Sequence, residues 1–363
     1  MKLYLKVLIG LAVAVVTVFT QNNNCILTGN SLGNLTSIQQ QCTEIVIENF
    51  TVPANQSLSL RNLRNGTTVS FRGLISFGYA ESLGNLIVVS GTNITVIGEP
   101  GHLFNCRGER WWDGFADNNG KLKPLFFLAI NLRYSSVSGL RIKNTPQRVI
   151  AIQSSQQVVF SNITIDNFEG DRNGAHTTIG FDLNESSDIT IQGSQIVNQD
   201  DCIAINSGTN SYFYDNHCRG GRGISIGPLG NRSSNVVRNV HVRGCTVVNS
   251  ADGIRIRTFA NTTGQVLDIT YENIQFQNIF DYGIVVRGDL RGNRPTGNAT
   301  EGFTIRNFTI SNVQGWVRPS AISVFVLLAE GVASNWRWSR VNLTGTRNIN
   351  SCTGVPPNSG VQC

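Results

Sequence analysis

The chain has 363 residues, carries 29 Lys and Arg against 23 Asp and Glu for a formal charge of +6, and is 40% hydrophobic. With 37 Gly and abundant Asn, Ser and Thr, that apolar content describes an ordered, turn-rich protein and excludes a disordered chain. There is no Lys/Arg cluster of the kind that grips nucleic acid, so no nucleic-acid partner is expected; the mild positive excess suits an acidic surface or polymer.

The first stretch reads MKLYLKVLIGLAVAVVTVFT. Lys2 and Lys6 form a basic n-region, and the apolar run from Val7 to Phe19 is short of a comfortable membrane span. Residues 1–21 are therefore read as a secretory signal peptide rather than an anchor, with cleavage near Thr20 to Asn22. Losing Lys2 and Lys6 lowers the formal charge from +6 to +4. No later segment is long and apolar enough to span a bilayer, and a secreted, extracellular protein without a membrane partner is expected. The roughly 340 residues that follow suffice for a large core. They carry no linker or low-complexity segment, so 22–363 is read as one domain.

Eight cysteines, at 25, 42, 106, 202, 218, 245, 352 and 363, suggest disulfides in such a chain. Proximity suggests 25–42, 202–218 and 352–363; Cys106 and Cys245 are left over, to pair or to stay free. None of the spacings resembles a zinc site, and no cofactor is expected. Twelve N-x-[S/T] sequons, from Asn34 to Asn342, offer glycan acceptors in a secreted protein. The repeat described next also generates such strings for structural reasons.

A short helix is expected around 31–42, where TSIQQQC is the one helical stretch after the signal peptide, forming an N-terminal cap. From there short alternating runs recur: NITVIG (93–98), NITIDNF (162–168), DITIQGSQIVN (188–198), NVHVRGCTVVN (239–249), FTIRNFTISNV (303–313). Each pairs two bursts of β-branched or aromatic residues with Asn, Gly or Ser between them, at a spacing of about 22 to 32 residues. Strands this short cannot stand alone, but stacked rungs bury a continuous core, so a parallel β-helix is expected. A β-sandwich would explain the alternation but not the recurring x-N-x-T-x texture. The cap at the solenoid's N-terminal end favours a monomer.

A β-helix sheet brings residues distant in sequence into one cleft. Candidate chemistry falls at 176–182, 198–201, 217–222, 252–257 and 282–290. Asp200 and Asp201 in NQDDCIAINSG are adjacent, so on a regular strand they would face opposite ways; a bend is needed to bring both to one cleft, and otherwise they are a turn-forming pair. Arg255 and Arg257 in GIRIRT are i and i+2 and share a face, suited to an acidic sugar or simply surface charge.

The strings GERWWDG (108–114), GLRIKNTP (139–146), NQDDCIAINSG (198–208), GGRGISIGPLG (220–230), GIRIRT (253–258) and YGIVVRGD (282–289) together resemble the polygalacturonases of glycoside hydrolase family 28. The resemblance runs from about Cys25 to Cys363. It implies a single-stranded right-handed parallel β-helix of the pectin-lyase-like kind, all-β, acting on α-1,4 galacturonan with inversion. Its implied partners are pectin or galacturonan oligosaccharides, and plant polygalacturonase-inhibiting proteins, which target this family. By resemblance Asp200 matches the general acid, Asp201 one of the water-activating acids, and Arg255 and Arg257 the substrate-binding basic pair. Three positions depart. Ile179 in TTIGFD stands where the family has an aspartate, although Asp182 remains. Arg222 stands where a histidine lies between two glycines, and Leu290 where a tyrosine helps hold sugar. Ile179 can neither accept a proton nor hold water, and a cation at 222 would favour the ionised form of Asp200. The expectation is therefore a galacturonan-directed protein that has lost efficient hydrolysis, with an active endo-polygalacturonase as the alternative. His217 and His176 are poor substitutes for the missing groups.

Overall fold

The computed structural model describes residues 23–116, 119–292, 294–345 and 352–363. The segment read as a signal peptide, with its expected cleavage region, lies outside the described residues. Among the described residues no helix is long and apolar enough to cross a membrane.

The chain is a right-handed parallel β-helix, as expected. Successive rungs stack in three columns of strands, and every described strand pairing is parallel except Leu290–Arg291 with Arg294–Pro295. In the column that carries the site, Ile150, Phe181, Ile203, Ile224, Ile254, Ile284 and Val324 stand in register, one above the next. Two residues on, Ile152, Leu183, Ile205, Ile226, Ile256, Val286 and Val326 form a second ladder. Both ladders are buried and point inward. The residue between them faces out: Asp182, Ala204, Ser225, Arg255 and Val285. Period-two alternation thus gives one apolar face to the core and one face to the cleft floor.

Asparagine explains the texture of the repeat. Asn93, Asn162, Asn210, Asn239, Asn307 and Asn335 all sit at left-handed φ between 53° and 57°, a conformation asparagine tolerates better than most residues. Their amides also stack between rungs: Asn239 Nδ2 donates to Asn210 Oδ1 (2.6 Å), and Asn210 Nδ2 to Asp188 Oδ1 (2.8 Å). Asn335, Asn307 and Asp268 repeat the pattern further along. The rung bend is therefore both a backbone requirement and a polar ladder.

The helix Leu35–Gln41 puts Leu35 and Ile38 into the same core as the first rungs, near the Cys25–Cys42 disulfide. The other disulfides join Cys202 to Cys218 and Cys352 to Cys363, matching the proximity reading, while Cys106 and Cys245 are buried free thiols.

Candidate active site

Asp200 and Asp201 lie in a bend between the strands Gln195–Asn198 and Ile203–Ile205. The bend resolves the conflict posed by their adjacency. Asn198 holds it: its Nδ2 reaches the carbonyl oxygens of Thr178 (2.8 Å), Asp200 (3.0 Å) and Asp201 (2.8 Å). The Asp201 N–H donates to Asp200 Oδ1 at 2.9 Å, which turns both carboxylates to one side. The Cys202–Cys218 disulfide then ties the residue after the pair to the neighbouring rung.

Asp201 is sealed into a buried network. Its Oδ1 accepts from Arg255 Nη2 at 2.5 Å and from Ser225 Oγ at 2.6 Å. Arg255 Nε donates to Ser225 Oγ, and Arg255 Nη1 to Asp252 Oδ2 at 3.1 Å. Arg257 Nη2 lies 3.8 Å from Asp201 Oδ2, so both arginines do share a face toward the acids. Burial alone would lower the Arg255 guanidinium, but the charges of Asp201, Asp252 and Asp200 outweigh it and the net shift is upward. Arg257, with burial and the neighbouring Arg255 acting together, is pushed down to about 10. Burial raises Asp252, opposed by Arg255 and Arg257.

Asp200 is placed differently. Its side chain keeps 20% exposure, with Arg222 Nε at 3.9 Å and Arg255 Nη2 at 4.0 Å from Oδ1. Burial, then the Asp201 charge, raises its carboxyl above the usual value, against the weaker pull of Arg255 and Arg222. Arg222 does favour the ionised form of Asp200, as expected, yet burial and the Asp201 charge outweigh it. Its side chain is 53% exposed, so water screens its charge, while the desolvation of Asp200 is local.

Of the three positions expected to be altered, Ile179 and Arg222 are next to the acids. Gly180 N–H donates to Asp201 O (2.9 Å) and Arg222 N–H to Asp200 O (3.0 Å), so Ile179 and Arg222 belong to the rungs on either side of the pair. Ile179 is half-buried and offers no acceptor. Leu290 is not at the cluster's surface: it is 3% exposed, opposite Phe259, where the chain turns into its antiparallel pair. Asp182 accepts from Asn184 (3.0 Å) and Asn206 (2.7 Å) and lies 3.4 Å from Arg148, a structural engagement. His217 is exposed on an adjacent column, in the strand His217–Gly220. His176 lines a cleft of about 630 Å³ together with Asp171, Gln199, Arg222, Asp252 and Arg255. Among the described residues no cluster fit to hold a metal occurs.

Sequence reading missed Ser225 and Asp252. The signal for Ser225 was present, a small polar residue between two inward isoleucines in ISI, and Asp252 stands three residues before Arg255.

A carboxyl held toward its protonated form, beside a second carboxylate and two arginines on a solvent-facing sheet, is the equipment of acid-assisted glycoside cleavage on an anionic sugar. Comparison with known proteins agrees in kind. The family model for glycosyl hydrolases family 28 matches residues 42–363. A polygalacturonase of Cochliobolus carbonum is 48% identical over 322 residues, 89% of this chain and 88% of that one. A polygalacturonase of Penicillium janthinellum is 43% identical over 344 residues, 95% and 92% of the two chains. Among solved structures, endopolygalacturonase I from Stereum purpureum complexed with two galacturonate matches at a TM-score of 0.77 and 29% identity, covering 90% of this chain and 98% of that one. Core ladders, cleft acids and relatives all lead to one assignment: the chain belongs to glycosyl hydrolase family 28.

Proposed function

We propose that this protein is a secreted, galacturonan-directed member of the family in which efficient hydrolysis has been lost. The observation that carries this reading is the asymmetry of the site. On the leaving-group side, Asp200 is partly exposed and held toward its protonated form, as a proton donor to a glycosidic oxygen must be. On the water side, inversion needs a carboxylate to orient and deprotonate the attacking water. Ile179 supplies none, and Asp201 commits Oδ1 to Arg255 and Ser225. Loss of a positioned base is typically worth about 10²–10⁴ in rate. The basic cluster around the acids supports retained affinity for galacturonate carboxylates, and three disulfides suit an oxidising compartment.

The second reading is a working endo-polygalacturonase that cleaves α-1,4-galacturonosyl linkages with inversion, and the raised Asp200 carboxyl is the observation in its favour. The deciding experiment measures new reducing ends from polygalacturonic acid and from methylated pectin, alongside binding to both polymers. The expected result is binding with hydrolysis at least a hundredfold below an active family member. Rapid hydrolysis that Asp200→Asn abolishes would overturn the impaired reading in favour of the active one.

A further inference from the structure

Three arginines surround the two acids, and they are not equally engaged. Arg255, with 4% side-chain exposure, has its donors on Ser225, Asp252 and Asp201. Arg257 has a buried Nε without a hydrogen-bond partner and one ion pair at 3.8 Å among the described contacts. Arg222 is the open one. Its single described ion pair, Nε to Asp200 Oδ1 at 3.9 Å, is too long for a hydrogen bond, and its side chain, 53% exposed, helps to line the cleft.

The backbone that presents Arg222 is fixed. Its N–H is bonded to Asp200 O, and it stands between Gly221 at φ 59° and Gly223 at φ 70°. A Cβ on Gly221 would come within 1.9 Å of Asp200 O, and one on Gly223 within 2.3 Å of both Asp252 O and Gly253 O. Both glycines are therefore required for the rungs to close, and residue 222 is locked in place with only its side chain free to adjust. That combination, a rigid base and a fork of unused planar donors, is how carboxylates are held.

We propose that Arg222 is a carboxylate-binding residue that sets the specificity of this cleft for galacturonan units whose carboxyl group is free rather than methyl-esterified. The inference rests on the reading that the cleft takes galacturonan, and deepens it. A uronate carboxylate gives the guanidinium the two-oxygen partner that Asp200 does not supply. A methyl ester offers no charge and no second equivalent oxygen. The guanidinium also neutralises an anion brought close to the Asp200 carboxyl, which would otherwise repel it. A guanidinium in general keeps its charge where an imidazole becomes neutral, above about pH 6.5, so an arginine suits this selection over a wider range than a histidine would.

The test is equilibrium binding of polygalacturonate oligosaccharides and of their fully methyl-esterified counterparts, at constant ionic strength, to the wild-type chain and to Arg222→Gln, Arg222→Lys and Arg222→His. Arg222→Gln should weaken binding of the acid about tenfold and leave the ester within twofold. Arg222→His should bind the acid nearly as wild type at pH 5 and fall to the level of Arg222→Gln at pH 8. Arg222→Lys should fall between wild type and Arg222→Gln. A folded Arg222→Gln variant, with unchanged Tm, that keeps full affinity for the acid would overturn the assignment; so would equal losses for acid and ester. Wild-type protein that binds neither polymer overturns the functional reading itself, and the assignment with it.

Discussion

The site divides into a sealed half and an open half. In the sealed half Asp201, Ser225, Arg255 and Asp252 are buried and saturated with one another across three rungs. In the open half Ile179, Asp200 and Arg222 are partly exposed, and the contacts among their side chains are loose or absent. On the resemblance drawn from the sequence, the departures at Ile179 and Arg222 fall in the open half, while Asp201 and Arg255 of the sealed half match the positions expected of them. The contrast has a physical basis. An unpaired charge left in the sealed half costs several kcal/mol of folding, so that half is held by stability whether or not it catalyses. The open half bears little of the fold's stability, so its residues can change with effects confined to chemistry and binding.

Stability measurements probe this contrast directly. Arg255→Ala removes the hydrogen-bonded cation from the buried Asp201 and Asp252, leaving Asp201 only the looser Arg257 pair at 3.8 Å, and should cost about 3–5 kcal/mol in denaturant unfolding. Ser225→Ala removes one partner from both Arg255 and Asp201 and should cost about 1–3 kcal/mol. Asp200→Asn sharpens the contrast through pH. In the folded chain the Asp200 carboxyl titrates above 3.8, and in the unfolded chain near it. The folded state therefore holds the extra proton in the window from 3.8 up to the raised value, and wild-type stability falls as pH rises through that window. Asp200→Asn should consequently be at least as stable as wild type at pH 7, with the difference shrinking as pH is lowered toward 3.8. Arg222→Gln, at an exposed and screened position, should change stability by no more than about 0.5 kcal/mol. A large loss from Arg222→Gln, or none from Arg255→Ala, would erase the distinction between the halves.

Much of the fold was legible because its requirements are local. Left-handed bends select asparagine, and rungs too short to stand alone must stack, so strings such as NITVIG and NITIDNF disclose both the turn and the repeat. The three disulfides were legible by proximity. The site was legible in composition and not in connectivity. That adjacent Asp200 and Asp201 need a bend to share one cleft was legible; what makes the bend was not, because the Asn198 amide draws one of its three carbonyl partners from the rung before. Arg255 and Arg257 looked equivalent at i and i+2. Their difference comes from Ser225 and Asp252, which lie beside Arg255, and no spacing rule relates Ser225 to it. The effect of Arg222 on Asp200 was legible in sequence, while the burial that outweighs it is a property of the packed rungs.

On the proposed function, hydrolysis is limited by the missing water-side carboxylate at 179 and by arginine at 222 rather than by Asp200 and Asp201. The most direct measurement compares the release of reducing ends from polygalacturonic acid by the wild-type chain and by the Ile179→Asp, Arg222→His double variant, with unfolding curves to establish that both are folded. The account predicts a gain of about 10²-fold or more in the double variant. A folded double variant no faster than wild type, or a wild-type chain already hydrolysing at the rate of an active family member, would contradict it.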